Sequence, residues 1–155
     1  MGVTMPQFEP RNPLYAQRVR DSFALQGVMH HMGARLGLIE PGAVDIEISW
    51  AQELTQQHGF LHAGVVSAAL DSACGYAAFT LMVPEAEVLT IEFKINLLAP
   101  AQGERFRMEG RVLKPGRTIT VCEGRAYALH GGGEKLVATM GCTLMAVTGR
   151  ADVRA

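Results

Sequence analysis

The sequence predicts an α+β fold: one long apolar helix packed against one curved antiparallel sheet. Three observations carry this. Residues 63–82 are almost entirely small or apolar. Six other segments read as strands, the clearest of them alternating apolar and polar residues with period two. Their order is helix, two strands, long helix, four strands, without an internal repeat.

The elements justify themselves in turn. Residues 1–11 read as a flexible tail. Asn12 and Pro13 form a helix start, an N-cap followed by proline at the first helical position, and that helix runs to Gln26 with Gly27 as its stop. Residues 32–40 read as a strand, and Pro41-Gly42 as a turn. In AVDIEISW, residues 43–50, Val44, Ile46, Ile48 and Trp50 fall on one face and Asp45, Glu47 and Ser49 on the other. A polar loop, AQELTQQHGFLH, leads into the long helix, which Pro84 ends. In LTIEFKINL, residues 89–97, strict alternation places Leu89, Ile91, Phe93, Ile95 and Leu97 on one face. ERFRMEGRVL sets Phe106, Met108 and Val112 against Arg105, Arg107, Glu109 and Arg111. KPGR turns into TITVCEGRAYALH, and GGGEK turns into the last strand, LVATMGCTLMAV. The GGG lacks the strand–loop–helix setting of a phosphate loop and reads as a hairpin. One apolar face per strand suits a sheet covered on one side. The domain spans residues 12–148, with a second tail at 149–155.

Composition narrows the function. The chain has 155 residues, enough for one domain with its own core, and 48% hydrophobic against 19% charged residues is a soluble globular balance. A formal net charge of -1 and the lack of a basic block argue against nucleic acid as a partner. Cys74, Cys122 and Cys142 are odd in number, widely spaced and form no CxxC pair. No zinc site or other metal is expected; free buried thiols in a reducing cytoplasm are. Residues 1–13 hold no apolar signal core, and Pro6 stands where an acylation signal takes Ser or Thr. Residues 63–82 are long enough to cross a membrane, but a mid-span charge, Asp71, costs about 2.5 kcal/mol or more there. A helix apolar on every side is instead one wrapped by protein.

Asp71 is thus the chemical anomaly: the only charge in that run. It lies about two turns into the helix, beyond strong help from the helix dipole. The helix offers it Gly75 at i+4 and the Ser67 hydroxyl at i−4. Unpartnered burial raises the pKa of such a group. A carboxylate tuned in that way serves as a general base on water, or as a nucleophile that forms a mixed anhydride. A structural Asp paired with Arg or with backbone donors is the competing explanation.

The motif His62-Ala63-Gly64, Asp71 nine positions after His62, and TIEFKINLLAPA at residues 90–101 resemble the hotdog-fold acyl-CoA thioesterases, in particular the PaaI-like branch related to phenylacetate degradation. That family shows an HGG motif, an acid nine positions on, and a strand of this kind ending in proline. The resemblance spans residues 12–147. It implies a sheet wrapped round the long helix, a homodimer with joined sheets, often paired again into a homotetramer, and active sites built from both subunits. It implies an acyl-CoA substrate, with no cofactor beyond the coenzyme A carried by that substrate.

The resemblance and the chemistry of the residues together suggest roles. Ala63 replaces the second residue of HGG, and its backbone N–H, at the start of the helix, is a free donor. Gln56, six before His62, stands where the family carries Gln or Asn; Gln57 leaves a slip of one residue open. Two such donors on one carbonyl oxygen make an oxyanion hole. His62 either orients the loop or the acyl group, or is a structural histidine bonded to backbone. Gly64 and Phe60 are placed against substrate, and Phe60, Tyr76 and Phe79 either line an acyl pocket or are plain core. Thr90 passes near the partner's acid, where its hydroxyl holds the attacking water, unless it is an ordinary strand threonine. Lys114 and Arg117 flank the KPGR turn and suit the phosphates of coenzyme A, unless they merely solvate a hairpin. Three functions compete: hydrolysis of a small or medium acyl-CoA, aromatic acyl groups included, with Asp71 as base or nucleophile; hydration or dehydration of an acyl thioester; and binding of an acyl-CoA without turnover.

Overall fold

The computed structural model describes residues 7–153, so residues 1–6, 154 and 155 of the two expected tails lie outside the described residues. The order is α1 (Tyr15–Ala24), α2 (Gly27–His31), β1 (Arg35–Glu40), β2 (Ala43–Ser49), a 3₁₀ turn at Gln52–Leu54, α3 (Ala63–Phe79), β3 (Glu87–Leu97), β4 (Arg105–Lys114), β5 (Ile119–His130) and β6 (Gly133–Val147). The six strands form one antiparallel sheet in the order β1-β2-β4-β5-β6-β3, curled round α3.

The sheet wraps the helix because most of the helix surface is apolar. Ala69, Leu70, Ala73, Cys74, Ala77 and Ala78 are all fully buried. Small side chains let it approach the sheet closely. At Gly110 of β4 a Cβ would fall 2.2 Å from the Ala73 carbonyl oxygen, so the two backbones touch there and only glycine fits. Beyond Phe79, the Thr80 hydroxyl donates to Ala77 O at 2.6 Å, and Arg18 from α1 donates to Val83 O at 2.9 Å and to Ala86 O. The same guanidinium lies 4.1 Å from the centre of the Phe79 ring, which ties α1 to the far end of α3.

Several sequence expectations are corrected. The Asn12 side chain does accept from Leu14 N at 2.9 Å, but this makes a turn, and the helix starts at Tyr15. Gly27 stops α1 only to begin the five-residue α2. The first strand begins at Arg35, after a turn at Gly33 with φ +63°. Val44, Ile46 and Ile48 are core as read, but Trp50 lies past the end of β2 and is 45% exposed. The largest correction concerns β3. A bulge between Thr90 and Glu92 shifts the register, so Thr90 pairs with inward Leu144, while Phe93, Ile95 and Leu97 pair with inward Cys142, Met140 and Ala138. Leu89 instead pairs with exposed Met145 on the outer face. Cross-strand partners share a face, so one extra residue moves a strand's stripe from one side of the sheet to the other. β3 is also an edge strand, and its Ile91, Phe93 and Leu97 stay exposed in the single chain.

Candidate functional site

Two cavities lie along α3; one takes Gln56, Phe60 and Ala63 of the predicted site residues, the other Asp71 and Thr90. The first, about 480 Å³, lies at the helix N-terminus and is lined by Gln56, Phe60, Leu61, Ala63, Val66 and residues 97–101 with Val137 and Ala138. The second, about 170 Å³, lies at mid-helix around Asp71, with Ser22, Gln26, Ser72, Gly75, Tyr76, Glu87, Val88 and Thr90. Eight residues of helix separate Ala63 from Asp71, about 12 Å of rise.

At the first cavity the N-cap is His62, whose Nδ1 accepts from Gly64 N at 2.8 Å. Because Nδ1 accepts, the ring proton sits on Nε2. The imidazole thereby takes the Gly64 donor and leaves the Ala63 N–H, which has no acceptor among the hydrogen bonds of the described residues. Ala63 opens an α-helix, and among the described residues no non-glycine residue has positive φ, so alanine costs nothing where the family carries glycine. Gly64 does not line the cavity; a Cβ there would lie 3.1 Å from the His62 ring nitrogen. Gln56 sits in a turn closed by Gly59 N to Gln56 O at 3.0 Å, and its Oε1 accepts from His58 N, which leaves the amide NH₂ as the free donor. Gln57 points its amide at the His58 ring, 3.4 Å away, and is exposed; Gln56 is the one in the cavity. The first cavity therefore presents one side-chain and one backbone donor.

At the second cavity Thr90 Oγ1 donates to Asp71 Oδ1 at 2.7 Å, and Cys142 Sγ lies 3.8 Å from the same oxygen. Asp71 Oδ2 has no partner among the described residues. The expectation of an unpartnered, deeply buried acid is thus corrected: Asp71 is half-buried, and the bulge in β3 turns the Thr90 hydroxyl onto it. Thr90 meets the acid of its own chain, and its proton is spent on Oδ1, so it can hold a water only by accepting from it. Beside the acid runs a polar chain that sequence reasoning missed. Ser72 Oγ donates to Gln26 Oε1 at 3.1 Å, Gln26 Nε2 donates to the Tyr76 hydroxyl at 3.0 Å, and Ser22 Oγ lies 3.2 Å from that hydroxyl. Burial pushes the Tyr76 phenol up, so it stays protonated. Ser22 and Gln26 come from α1 and the segment after it, and nothing in their sequence positions announces where α1 docks. Phe79 is core, edge-on to Tyr76.

Behind Asp71 stand the three free cysteines, all buried. Cys122 pairs with Cys142 across β5 and β6. A hydrogen bond with Cys142 and burial push the Cys74 thiol well up, and burial does the same to Cys122. Lys114 and Arg117 are exposed beside the β4–β5 turn and line neither cavity. That turn adjoins β6 at Ala146, whereas the first cavity meets β6 at Val137 and Ala138. Among the described residues no group of three metal-ligating side chains occurs, and no helix is long and apolar enough to cross a membrane.

A single apolar helix enclosed by a curled six-stranded antiparallel sheet is the hotdog fold. The chain's residues 58–135 match the Thioesterase superfamily, and the chain belongs to that family. It is similar to two Saccharolobus solfataricus proteins: "Putative esterase SSO2140", 39% identical over 55% of this chain and 60% of that protein, and "Putative esterase SSO1253", 32% identical over 74% of this chain and 75% of that protein. Among solved structures, a thioesterase family protein from Silicibacter pomeroyi is 59% identical, with a TM-score of 0.86 over 87% of this chain and 99% of that one. The PaaI protein of the Escherichia coli phenylacetic acid degradation operon shares the fold, with a TM-score of 0.77 at 15% identity over 87% of this chain and 94% of that one.

Proposed function

We propose that this protein hydrolyses the thioester of a small or medium acyl-CoA, aromatic acyl groups included, in sites shared between two copies of the chain. The observation that carries the proposal is the division of labour along α3: Asp71 with a free Oδ2 in one cavity, and the free Ala63 N–H and Gln56 NH₂ in another. Family membership supplies the reaction class. The open edge of β3, with Ile91, Phe93 and Leu97 exposed, offers a second copy a place to pair, and an antiparallel partner there brings the Asp71 of one chain toward the donors of the other.

In that dimer the Gln56 amide and the Ala63 N–H hold the carbonyl oxygen and stabilise the negative charge it gains as the tetrahedral intermediate forms. Thr90 fixes Asp71 Oδ1 and leaves Oδ2 to act. As a base, Oδ2 takes a proton from the attacking water, the C–S bond breaks, and the proton passes to the departing thiolate. As a nucleophile, Oδ2 attacks the carbonyl itself, expels the thiolate, and forms an anhydride that water then opens. His62 enters as the cap that shapes the donor end. Lys114 and Arg117 are proposed to meet the coenzyme A phosphates of a site completed by the partner. Pairing of dimers into a homotetramer and a cytoplasmic location belong to the same proposal.

The test is thiol release from a panel of aromatic, short-chain and long-chain acyl-CoAs by the wild type, Asp71→Asn and Asp71→Ala. Loss of the acid should lower kcat by about 10³-fold. Full activity in both variants would end the proposal.

A further inference from the structure

Trp50 was expected in the core and is instead nearly half exposed, so burial is not what its indole contributes. What it does is hold a turn. Its backbone N–H donates to Glu104 O at 2.9 Å, which fixes it to the start of β4, and its indole Nε1–H donates to Gly59 O at 3.1 Å. Gly59, at φ +82°, ends the turn that begins at Gln56. The base of the loop is fastened separately: Thr55 bridges to Leu61, and His62 N donates to Leu54 O at 2.9 Å. The tip, residues 57–59, is exposed and contains the His58 N–H that grips the Gln56 amide oxygen. Of the bonds that fasten this tip to the rest of the fold, the Trp50 indole supplies the one at Gly59.

We infer that Trp50 is a positioning residue for Gln56: its indole N–H, bound to the Gly59 carbonyl, holds the turn that aims the Gln56 amide at the thioester oxygen. The inference rests on the hydrolase reading above. A donor that must meet a developing oxyanion gains from being fixed beforehand, and a displaced donor slows the chemical step while binding is largely kept.

The indole nitrogen and the Nε2 of histidine both stand two bonds from Cγ in a five-membered ring, so Trp50→His keeps a donor where Trp50→Phe keeps only an aromatic ring. Steady-state thioester hydrolysis and thermal melts are measured for both, alone and in a Gln56→Ala background. Trp50→Phe should lower kcat roughly tenfold, with KM within about twofold and an unchanged melting temperature. Trp50→His should recover most of the loss, and Trp50→Phe should cost nothing further once Gln56 is Ala. Full kcat in Trp50→Phe, or the same loss in the Gln56→Ala background, would overturn the inference while leaving the hydrolase reading intact. So would unfolding of both Trp50 variants, which would make the residue a plain structural one. A wild type inert on every thioester would overturn the hydrolase reading and this inference with it.

Discussion

The two ends of the site are built by different physics. The donor end is mostly backbone: a helix N-terminus whose cap, His62, takes the Gly64 N–H and leaves that of Ala63 before it free, beside a turn that pins one side-chain amide. The acid end is all side chain: Asp71, steadied by Thr90, in a small cavity walled by hydroxyls from α1 and α3 and by the Gln26 amide. Helix ends carry unsatisfied donors by geometry, so the first kind of site comes with the fold. A carboxylate inside an apolar helix does not; it has to be encoded residue by residue and supplied with a partner. Each end lacks what the other has, and the stretch of helix between them is too long for one carbonyl to meet both within a single chain.

The variants that sharpen this contrast follow in order of size, below the loss already set for Asp71. Gln56→Ala removes one of two donors and should lower kcat by about 10²-fold with little change in KM, because the interaction strengthens only as the oxyanion forms. Gln57→Ala, measured beside it, should be near wild type. Thr90→Val strips the hydroxyl from Asp71 Oδ1 and should cost about tenfold, read as kcat with the melting temperature as control. The smallest effect concerns the thiols beneath the acid. Burial disfavours the thiolate, so the raised pKa of Cys74 and Cys122 leaves almost none of the reactive form at mildly alkaline pH. Iodoacetamide should leave both unlabelled in the native protein, by mass spectrometry, and label them after urea; rapid native labelling would show that the region behind Asp71 opens.

Much of this was legible in the sequence, for reasons that also explain what was not. The inner strands read correctly because Val44, Ile46, Phe106, Met108 and Val112 are buried in the core, on strands that pack against α3. Asp71 stands out because its neighbours are apolar, whereas Gln56 and Ala63 are picked out only by the resemblance of the His62-Ala63-Gly64 stretch to the family's motif. β3 misled because its perfect alternation hides a bulge and because its apolar residues serve an edge, not the core of one chain. Trp50 continued the stripe of β2 one residue past the strand's end. Ser22 and Gln26 gave no local signal at all: their place beside Asp71 depends on where α1 packs, a tertiary fact in which buried Val19, the Phe23–Tyr76 contact and Arg18 over Phe79 all share.

Subunit complementation tests the shared site most directly. Asp71→Ala and Gln56→Ala chains are each nearly inactive; unfolded together and refolded as a mixture, half the dimers carry one of each. In such a dimer one site is doubly damaged and the other intact, so the mixture should recover about a quarter of wild-type activity. A mixture as inactive as its two components would contradict a site assembled from two chains.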